Sequence, residues 1–452
     1  MAEATTDPVR LPPRPRIPKF VLGLAFLTAR HRAVAAVGRR YSGAFTVDLP
    51  TFGQIVVIGD RALIKDLFTT SGDLVGRASN LGTVLGPGST FSLGGDEHRE
   101  RRKLLVPPFH GKRMAGYEAI VEEEVMRETD TWPEGREFET LRPMMRITLN
   151  AILRTVFGAQ GNAFDELRQL LPPMVPLASR IAVMPPVVRR DLGPWSPWGR
   201  VQRYRRRYDE IIASLIREAR ADAAFEDRND VLALMLQARY EDGSSISDSH
   251  VADELLTLLA AGHETTATTL AWTIERLRRH PQLLTRLTAE VDAGGSELCQ
   301  ATIWEVQRTR PVVEATARMA RERMRLGEWV IPKNHAVIAS IILAHESEQN
   351  FADAKRFNPD RFVGTNPDTH TWIPFGGGIR RCIGAAFAKM EMNVTLRTLL
   401  REFEFGTTHS AGERIHSRGV ATAPARGGRA VVYRRRVRPQ LPSARNAATV
   451  SA

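Results

Sequence analysis

The 452-residue sequence predicts a mainly α-helical fold with a smaller β-rich part. Three observations carry this expectation. Helix-compatible patterning fills residues 96–222, 247–308 and 385–403, whereas strand-like alternation is confined to short runs within 41–62, 329–342 and 431–433. The apolar share, 43%, suits a chain that buries a core and excludes a wholly disordered one. Two cysteines and no Cys-x-x-Cys pair exclude a disulfide scaffold and a thiolate zinc finger. The sequence holds no internal repeat.

The elements follow in order. Pro12, Pro13, Pro15 and Pro18 mark residues 1–40 as an extended, Pro/Arg-rich lead-in. Its apolar run, Phe20–Leu27, is closed by Arg30 and Arg32 and is far short of the ~20 residues a bilayer span needs. Two alternating runs, 45–49 and 54–58, read as a hairpin, and Asp60 as the N-cap of a helix through Leu67. Seven glycines within 72–95 predict a long loop, a kind usually functional in compact domains. Helical patterning then continues to 222, with breaks expected at Pro107-Pro108, Pro133, Pro143, Pro172-Pro173, Pro176 and Pro185-Pro186. Residues 170–188 are apolar and Pro-punctuated; core and mobile lid both fit. A long helix runs from about Ser247 to His280, and shorter ones follow Pro281 and Glu297. Strand-like runs at 329–331 and 335–342 precede a loop-rich stretch to Gly378, then a helix over 385–403. Val431-Val432-Tyr433 suggests that part of the tail folds back, and residues 436–452 read as a disordered basic tail.

The net charge of +12 sits at the ends. Residues 1–40 carry +6 and 414–452 carry +9, which leaves 41–413 at −3. Such ends can meet an acidic partner or a membrane surface. Arg outnumbers Lys 56 to 7, however, and a solvated Arg-rich tail is the simpler reading. No nucleic-acid partner is expected. The location expected is cytoplasmic, with at most peripheral membrane contact.

Four motifs carry chemistry. In Phe375-Gly-Gly-Gly-Ile-Arg-Arg-Cys-Ile-Gly384, a Gly-rich loop delivers Cys382 just before a helix, where free N–H groups and the helix dipole favour a thiolate. The glycines permit close approach of something flat and bulky, and Arg380 supplies a cation. A dinucleotide loop is excluded because position 381 is Arg where glycine is required. In Ala261-Gly262-His263-Glu264-Thr265-Thr266, a glycine inside a helix costs ~1 kcal/mol against alanine and so needs a reason, either ligand approach or packing. In His98-Arg99-Glu100-Arg101-Arg102, His98 and Arg102 share one helix face and can reach the same anion, while Arg99 and Arg101 read as solvated. Glu305 and Arg308 form an i,i+3 pair, and Arg361 follows in Asn358-Pro-Asp-Arg-Phe362.

These motifs, in this order, resemble the cytochrome P-450 (haem-thiolate) superfamily, bacterial soluble type. Its signature is matched at Phe375, Gly378, Arg380, Cys382 and Gly384. The resemblance spans about residues 41–435 and implies a single haem domain there. The haem would lie between the 247–280 helix and the 385–403 helix. It implies haem b with Cys382 as axial iron ligand, and His98, Arg102, Arg318 and Arg380 as partners of the two propionates. Gly262, Glu264 and Thr265 would lie over the distal face, where the helix opens locally and the acid and alcohol relay protons. Successive helix residues do not face each other, so Glu264 and Thr265 are expected to act through separate chains. His263 departs from the family pattern and receives no role. Glu305, Arg308 and Arg361 would form a buried structural network.

The implied activity is that of a monooxygenase. It uses O2 and two externally supplied electrons to oxidise a lipophilic substrate such as a fatty acid, steroid or terpenoid. A separate ferredoxin with its reductase, or a flavoprotein reductase, is the expected electron source, since neither end is long enough for such a domain. A peroxide-driven oxygenase or a non-oxygenating isomerase or dehydratase is the alternative, and a haem sensor or carrier is a further one. The intact Glu264-Thr265 pair favours the O2-using reading.

Overall fold

A computed structural model describes residues 2–435 except 42, 50–52, 78–79, 112 and 159–160. The expected tail at 436–452 and the turn of the first hairpin fall outside the described residues. Helices dominate: α1 (Lys19–Gly38), α2 (Arg61–Thr69), α3 (Leu81–Leu85), α4 (Gly95–Leu105), α5 (Arg113–Thr129), α6 (Leu141–Phe157) and α7 (Asn162–Ala182). They continue with α8 (Pro197–Ala221), α9 (Val231–Gln237), α10 (Asp248–Leu277), α11 (Pro281–Asp292), α12 (Glu297–Thr309), α13 (Ile341–Glu346) and α14 (Ala385–Glu402).

The main sheet has five strands: β1 (Ala44–Leu49), β2 (Gly53–Ile58), β3 (Val75–Arg77), β4 (Ala315–Ala320) and β5 (Ala336–Ser340), in the order β1-β2-β5-β4-β3. Only β2 and β5 run parallel, Ile55 opposite Ala336; the β3–β4 register sets Arg77 opposite Arg318. Among the short strands after α14 are β6 (Phe403–Phe405), β7 (Ile415–Ser417), β8 (Thr422–Pro424) and β9 (Val432–Arg434). The 431–433 run does fold back, β9 pairing antiparallel with β6.

Local chemistry explains the ends. The Asp60 carboxylate accepts from the N–H groups of Ala62 (2.8 Å) and Leu63 (3.0 Å), and Ser247 caps α10 through the N–H of His250. The centre of the molecule is α10, buried along most of its length against α6, α12 and α14. One large apolar cluster joins α6, α7, α8 and the first half of α10; a second joins α5, α11, α14 and the second half.

Four expectations change. The 72–95 stretch is not all loop: it contributes β3 to the sheet and forms α3. The lead-in is not all extended, because α1 occupies 19–38, with a kink at Ala29 (φ −147°, ψ 42°). The 335–342 run leaves the sheet at Ser340, whose hydroxyl caps α13. Pro172, Pro173 and Pro176 lie inside α7 and do not end it. The apolar face of α7, with Phe164, Leu167, Leu171, Met174 and Val175 in the core, outweighs the lost backbone bonds.

Candidate active site

The Cys loop is built by backbone geometry. Gly376 and Gly378 adopt φ of +63° and +61°, values that favour glycine, and the Cys382 N–H donates to the Phe375 carbonyl at 3.0 Å. The crowding that excludes side chains comes from α2. A Cβ on Gly377 would sit 2.1 Å from the Phe68 ring, and one on Gly378 2.1 Å from the Phe68 carbonyl oxygen. Phe68 thus accounts for both glycines without a ligand. Gly384 is the N-cap of α14.

Cys382 is open on one side and otherwise surrounded by protein. That mass raises its thiol pKa, outweighing the Gly384 N–H and the Arg102 and Arg381 charges, which lower it. The helix N-terminus therefore does not by itself produce a thiolate. Cys299 is buried with a thiol pushed above the usual range, an inert core residue.

Four cationic or imidazole groups gather beside this loop without an acid among them. Arg318, on β4, is 3% exposed; it donates to the Gly377 carbonyl (2.8 Å) and lies over the Phe68 ring. Arg380 donates to the carbonyls of Thr90 (2.8 Å) and Leu93 (2.6 Å). Burial lowers both guanidinium pKa values to about 10; repulsion by Arg380 adds to this at Arg318, and by Arg77, Arg321 and Arg102 at Arg380. Burial likewise lowers Arg102, with Arg381 adding to the effect. His98 falls to about 4 through burial and then Arg380, Arg102 and Arg318, so it is neutral at pH 7. Among the described residues no carboxylate pairs with any of the four. Three mutually repelling arginines, Arg318 buried and Arg102 and Arg380 half-buried, fit a dianion, and an open thiol close to Arg102 fits a metal-bearing macrocycle that carries one. No cluster of three or more His, Cys, Asp or Glu able to hold a bare metal ion occurs among the described residues.

The α10 motif departs from expectation in one respect. The helix runs unbroken through 261–266, with no local opening. The Thr265 hydroxyl donates to the Ala261 carbonyl at 2.7 Å, and Glu264 accepts from Arg418 Nε at 2.7 Å. The two side chains thus use different partners. Gly262 has a packing reason, since a Cβ there would lie 2.3 Å from Ile152 Cδ1 on α6. His263 is buried, its ring bonded to the Leu259 carbonyl, and acts as a packing residue.

Behind the loop, Glu305 and Arg308 are both buried. Arg308 Nε and Nη2 reach the two Glu305 oxygens at 2.7 Å each. Arg361 Nε lies 3.3 Å from Glu305 Oε2. Arg308 also donates to the carbonyls of His345, Ala354 and Arg356. The His345 ring bonds the Arg308 carbonyl and accepts from the N–H of Ile373, joining this network to the segment leading into the Cys loop.

Sequence reasoning missed several residues. Arg101 is not solvated. It is 3% exposed and donates to Tyr240 Oη (2.8 Å) and the Gly88 carbonyl (2.7 Å), whereas Arg99 is exposed and pairs with Asp96. Arg418 and His345 are remote in sequence from their partners, and no local pattern marks them. Glu391, on α14, is fully buried and bonded to Thr266; burial raises its carboxyl to about 8, so it is protonated at neutral pH. A groove of about 680 Å³ lies elsewhere, lined among others by Trp304, Met390 and Arg397; Cys382 is not part of it.

Comparison with known proteins bears on the family and the fold. The family model described as Cytochrome P-450 matches residues 12–427. A protein named cytochrome P-450 138, from Mycobacterium tuberculosis, is 54% identical over 429 residues, covering 94% of this chain and 97% of its own. Cytochrome P-450 137 of the same organism is 36% identical over 412 residues, covering 90% and 86%. In structure, a cyanobacterial member solved with retinoic acid bound superposes with a TM-score of 0.82 at 22% identity, covering 95% of this chain and all of that one. A crystallised cytochrome P-450 haem domain gives 0.81 at 23% identity. The helical fold with its smaller sheet is therefore the cytochrome P-450 fold, and the chain belongs to the cytochrome P-450 family.

Proposed function

We propose that this protein is an O2-using haem-thiolate monooxygenase acting on a lipophilic organic substrate, with electrons from a separate ferredoxin or flavoprotein reductase. The observation that carries the reading is the acid-free set of His98, Arg102, Arg318 and Arg380 around the loop that presents Cys382. Cys382 would hold the iron of haem b, and those four residues its two carboxylates. When bound, the haem supplies the redox chemistry that activates dioxygen.

The chain supplies the rest. Gly376 and Gly378 shape the loop that presents the sulfur, and the Gly384 N–H bonds it. Phe375 and Gly384 flank the thiol at either end of the motif. Arg380 spans from the loop to the carbonyls of Thr90 and Leu93, and would tie a bound cofactor to the 86–93 segment. Thr265, from its place on α10, would donate a hydrogen bond over the distal face, with Glu264 moving protons through a separate route. Gly262 keeps α10 close against α6. Glu305, Arg308 and Arg361 would fix the backbone behind the loop. Among the described residues, no helix is long and apolar enough to cross a membrane; cytoplasmic operation with at most peripheral membrane contact is part of the proposal.

The test is a screen of fatty acids, steroids and terpenoids for a shift of the haem spin state. Turnover of a positive compound follows, with a ferredoxin–reductase pair and isotopically labelled dioxygen. One labelled oxygen atom in the product is expected. Product formed with peroxide but not with O2 and electrons would favour the peroxide-driven alternative.

A further inference from the structure

Two neighbouring acids near the start of α10 turn their oxygens to one segment of chain. Glu254 is fully buried and Asp253 is 2% exposed. Glu254 accepts from the Thr90 N–H at 2.8 Å and from the Thr90 hydroxyl at 2.9 Å, while Arg101 Nη1 stands 3.6 Å away. Asp253 accepts from the Gly88 N–H at 2.7 Å and pairs with Arg205 of α8. Buried carboxylates are costly unless hydrogen-bonded, and these two meet that need largely through residues 88–90.

The same segment is fastened at further points. Arg205 donates to the Leu85 carbonyl (3.0 Å), Arg101 to the Gly88 carbonyl (2.7 Å), and the Thr257 hydroxyl to Ser89 Oγ (2.7 Å). Gly88 approaches α10 so closely that a Cβ on it would stand 2.5 Å from His250 Cα. Residues 85–90 are thus laid along the first turns of α10. In turn, the carbonyls of Thr90 and Leu93 accept from Arg380. Thr90 is therefore bonded twice over, its N–H and hydroxyl to Glu254 and its carbonyl to Arg380.

This arrangement suits a guanidinium that has to keep its charge available. A carboxylate in contact with Arg380 would compete with the anion that Arg380 is to meet, whereas backbone carbonyls orient it without neutralising it. The acids that fix those carbonyls stand one layer back.

We propose that Asp253 and Glu254 are positioning residues for the cofactor: by pinning residues 85–90 to α10 they fix the carbonyls that aim Arg380, and so set how firmly the haem carboxylates are held. The inference rests on the reading of Arg380 as a partner of those carboxylates.

Four haem-loaded variants test it: Glu254→Leu, Asp253→Asn, Glu254→Gln and, as a control, Val47→Ala in the buried face of β1, outside this cluster. The readouts are amide hydrogen exchange at Gly88 and Thr90, the rate of haem transfer to excess apomyoglobin, and the haem-propionate bending band in the resonance Raman spectrum. Glu254→Leu should speed exchange at Thr90, and Asp253→Asn at Gly88. Each should raise the haem transfer rate roughly tenfold, the low end for removing a partner one layer behind a ligand, and shift the propionate band. Glu254→Gln can accept the Thr90 N–H with its oxygen and donate to the Thr90 hydroxyl with its nitrogen, so it should stay close to wild type. Val47→Ala should lower the urea midpoint and leave haem transfer and the band unchanged.

Faster exchange in Glu254→Leu with wild-type haem transfer and an unmoved band would overturn the link from segment to cofactor. Unchanged exchange would overturn the pinning itself. Equal acceleration of haem transfer in Val47→Ala would mean that retention follows overall stability, and would also overturn the proposal. Thr90→Val, which removes one of the two Glu254 bonds, carries the same comparison if Glu254→Leu does not fold. A wild-type protein whose bound haem lacks a thiolate-ligated spectrum would overturn the functional reading instead, while exchange at Gly88 and Thr90 would still report on the pinning.

Discussion

Replacing Arg308 with methionine is a severe test of the network behind the Cys loop. Arg308 is 2% exposed and makes five hydrogen bonds, two to Glu305 and one each to the carbonyls of His345, Ala354 and Arg356. Methionine fills similar apolar volume but supplies no donor. Glu305, fully buried, would keep only the Asn358 N–H at 2.8 Å and the longer contact with Arg361. Breaking a buried pair from one side costs about 3–5 kcal/mol because the remaining charge is uncompensated. The three orphaned carbonyls can only add to this. Against a total stability of about 5–15 kcal/mol, that loss is a large fraction. The double variant Glu305→Gln/Arg308→Met removes the unpaired charge as well, so it should be more stable than the sum of the single losses, by an interaction of about 1–3 kcal/mol. Urea unfolding of all four proteins, followed by circular dichroism, measures this cycle. Arg308→Met within about 1 kcal/mol of wild type would refute the argument that this pair is an energetically committed part of the fold.

Three further outcomes are expected. Arg101→Gln should destabilise the protein by about 1–3 kcal/mol, since it strips the Gly88 carbonyl and Tyr240 hydroxyl of a buried donor, whereas Arg99→Gln should change stability by less than about 0.5 kcal/mol; paired urea titrations separate the two. For His31, burial alone would lower the pKa, but hydrogen bonds to Glu314 and Glu346 outweigh it and raise the group to about 9. Its contribution is therefore full below about pH 6.5 and is lost as pH rises through about 9, and His31→Gln should flatten the stability–pH curve across that window. Gly262→Ala should cost about 1–3 kcal/mol by overpacking Ile152, despite alanine's better helix propensity, and Ile152→Val should recover part of that loss in thermal unfolding.

Much of the fold was legible because its signals are local. Asp60 and Ser247 announce helix starts by capping chemistry, Pro281 opens α11, and alternation marks β1 and β2. What failed depended on partners far away in sequence. The prolines of α7 read as breaks because the sequence does not display the core that its other residues fill. Arg101 read as solvated because its acceptors, Tyr240 and Gly88, belong to other segments. The Cys loop was legible as a pattern, but its glycines answer to Phe68, which no spacing within the motif could indicate. Glu264 was visible as an acid beside an alcohol, while Arg418, 154 residues later, was not.

The central claim is that Cys382, as thiolate, holds a haem whose carboxylates are met by His98, Arg102, Arg318 and Arg380. The most direct measurement is the absorption spectrum of the haem-loaded protein, reduced with dithionite and exposed to carbon monoxide, beside the Cys382→Ala variant. A strongly red-shifted Soret band in the wild type, absent from the variant, is the predicted result. A band at the ordinary histidine-haem position in fully loaded, undamaged wild-type protein would contradict it.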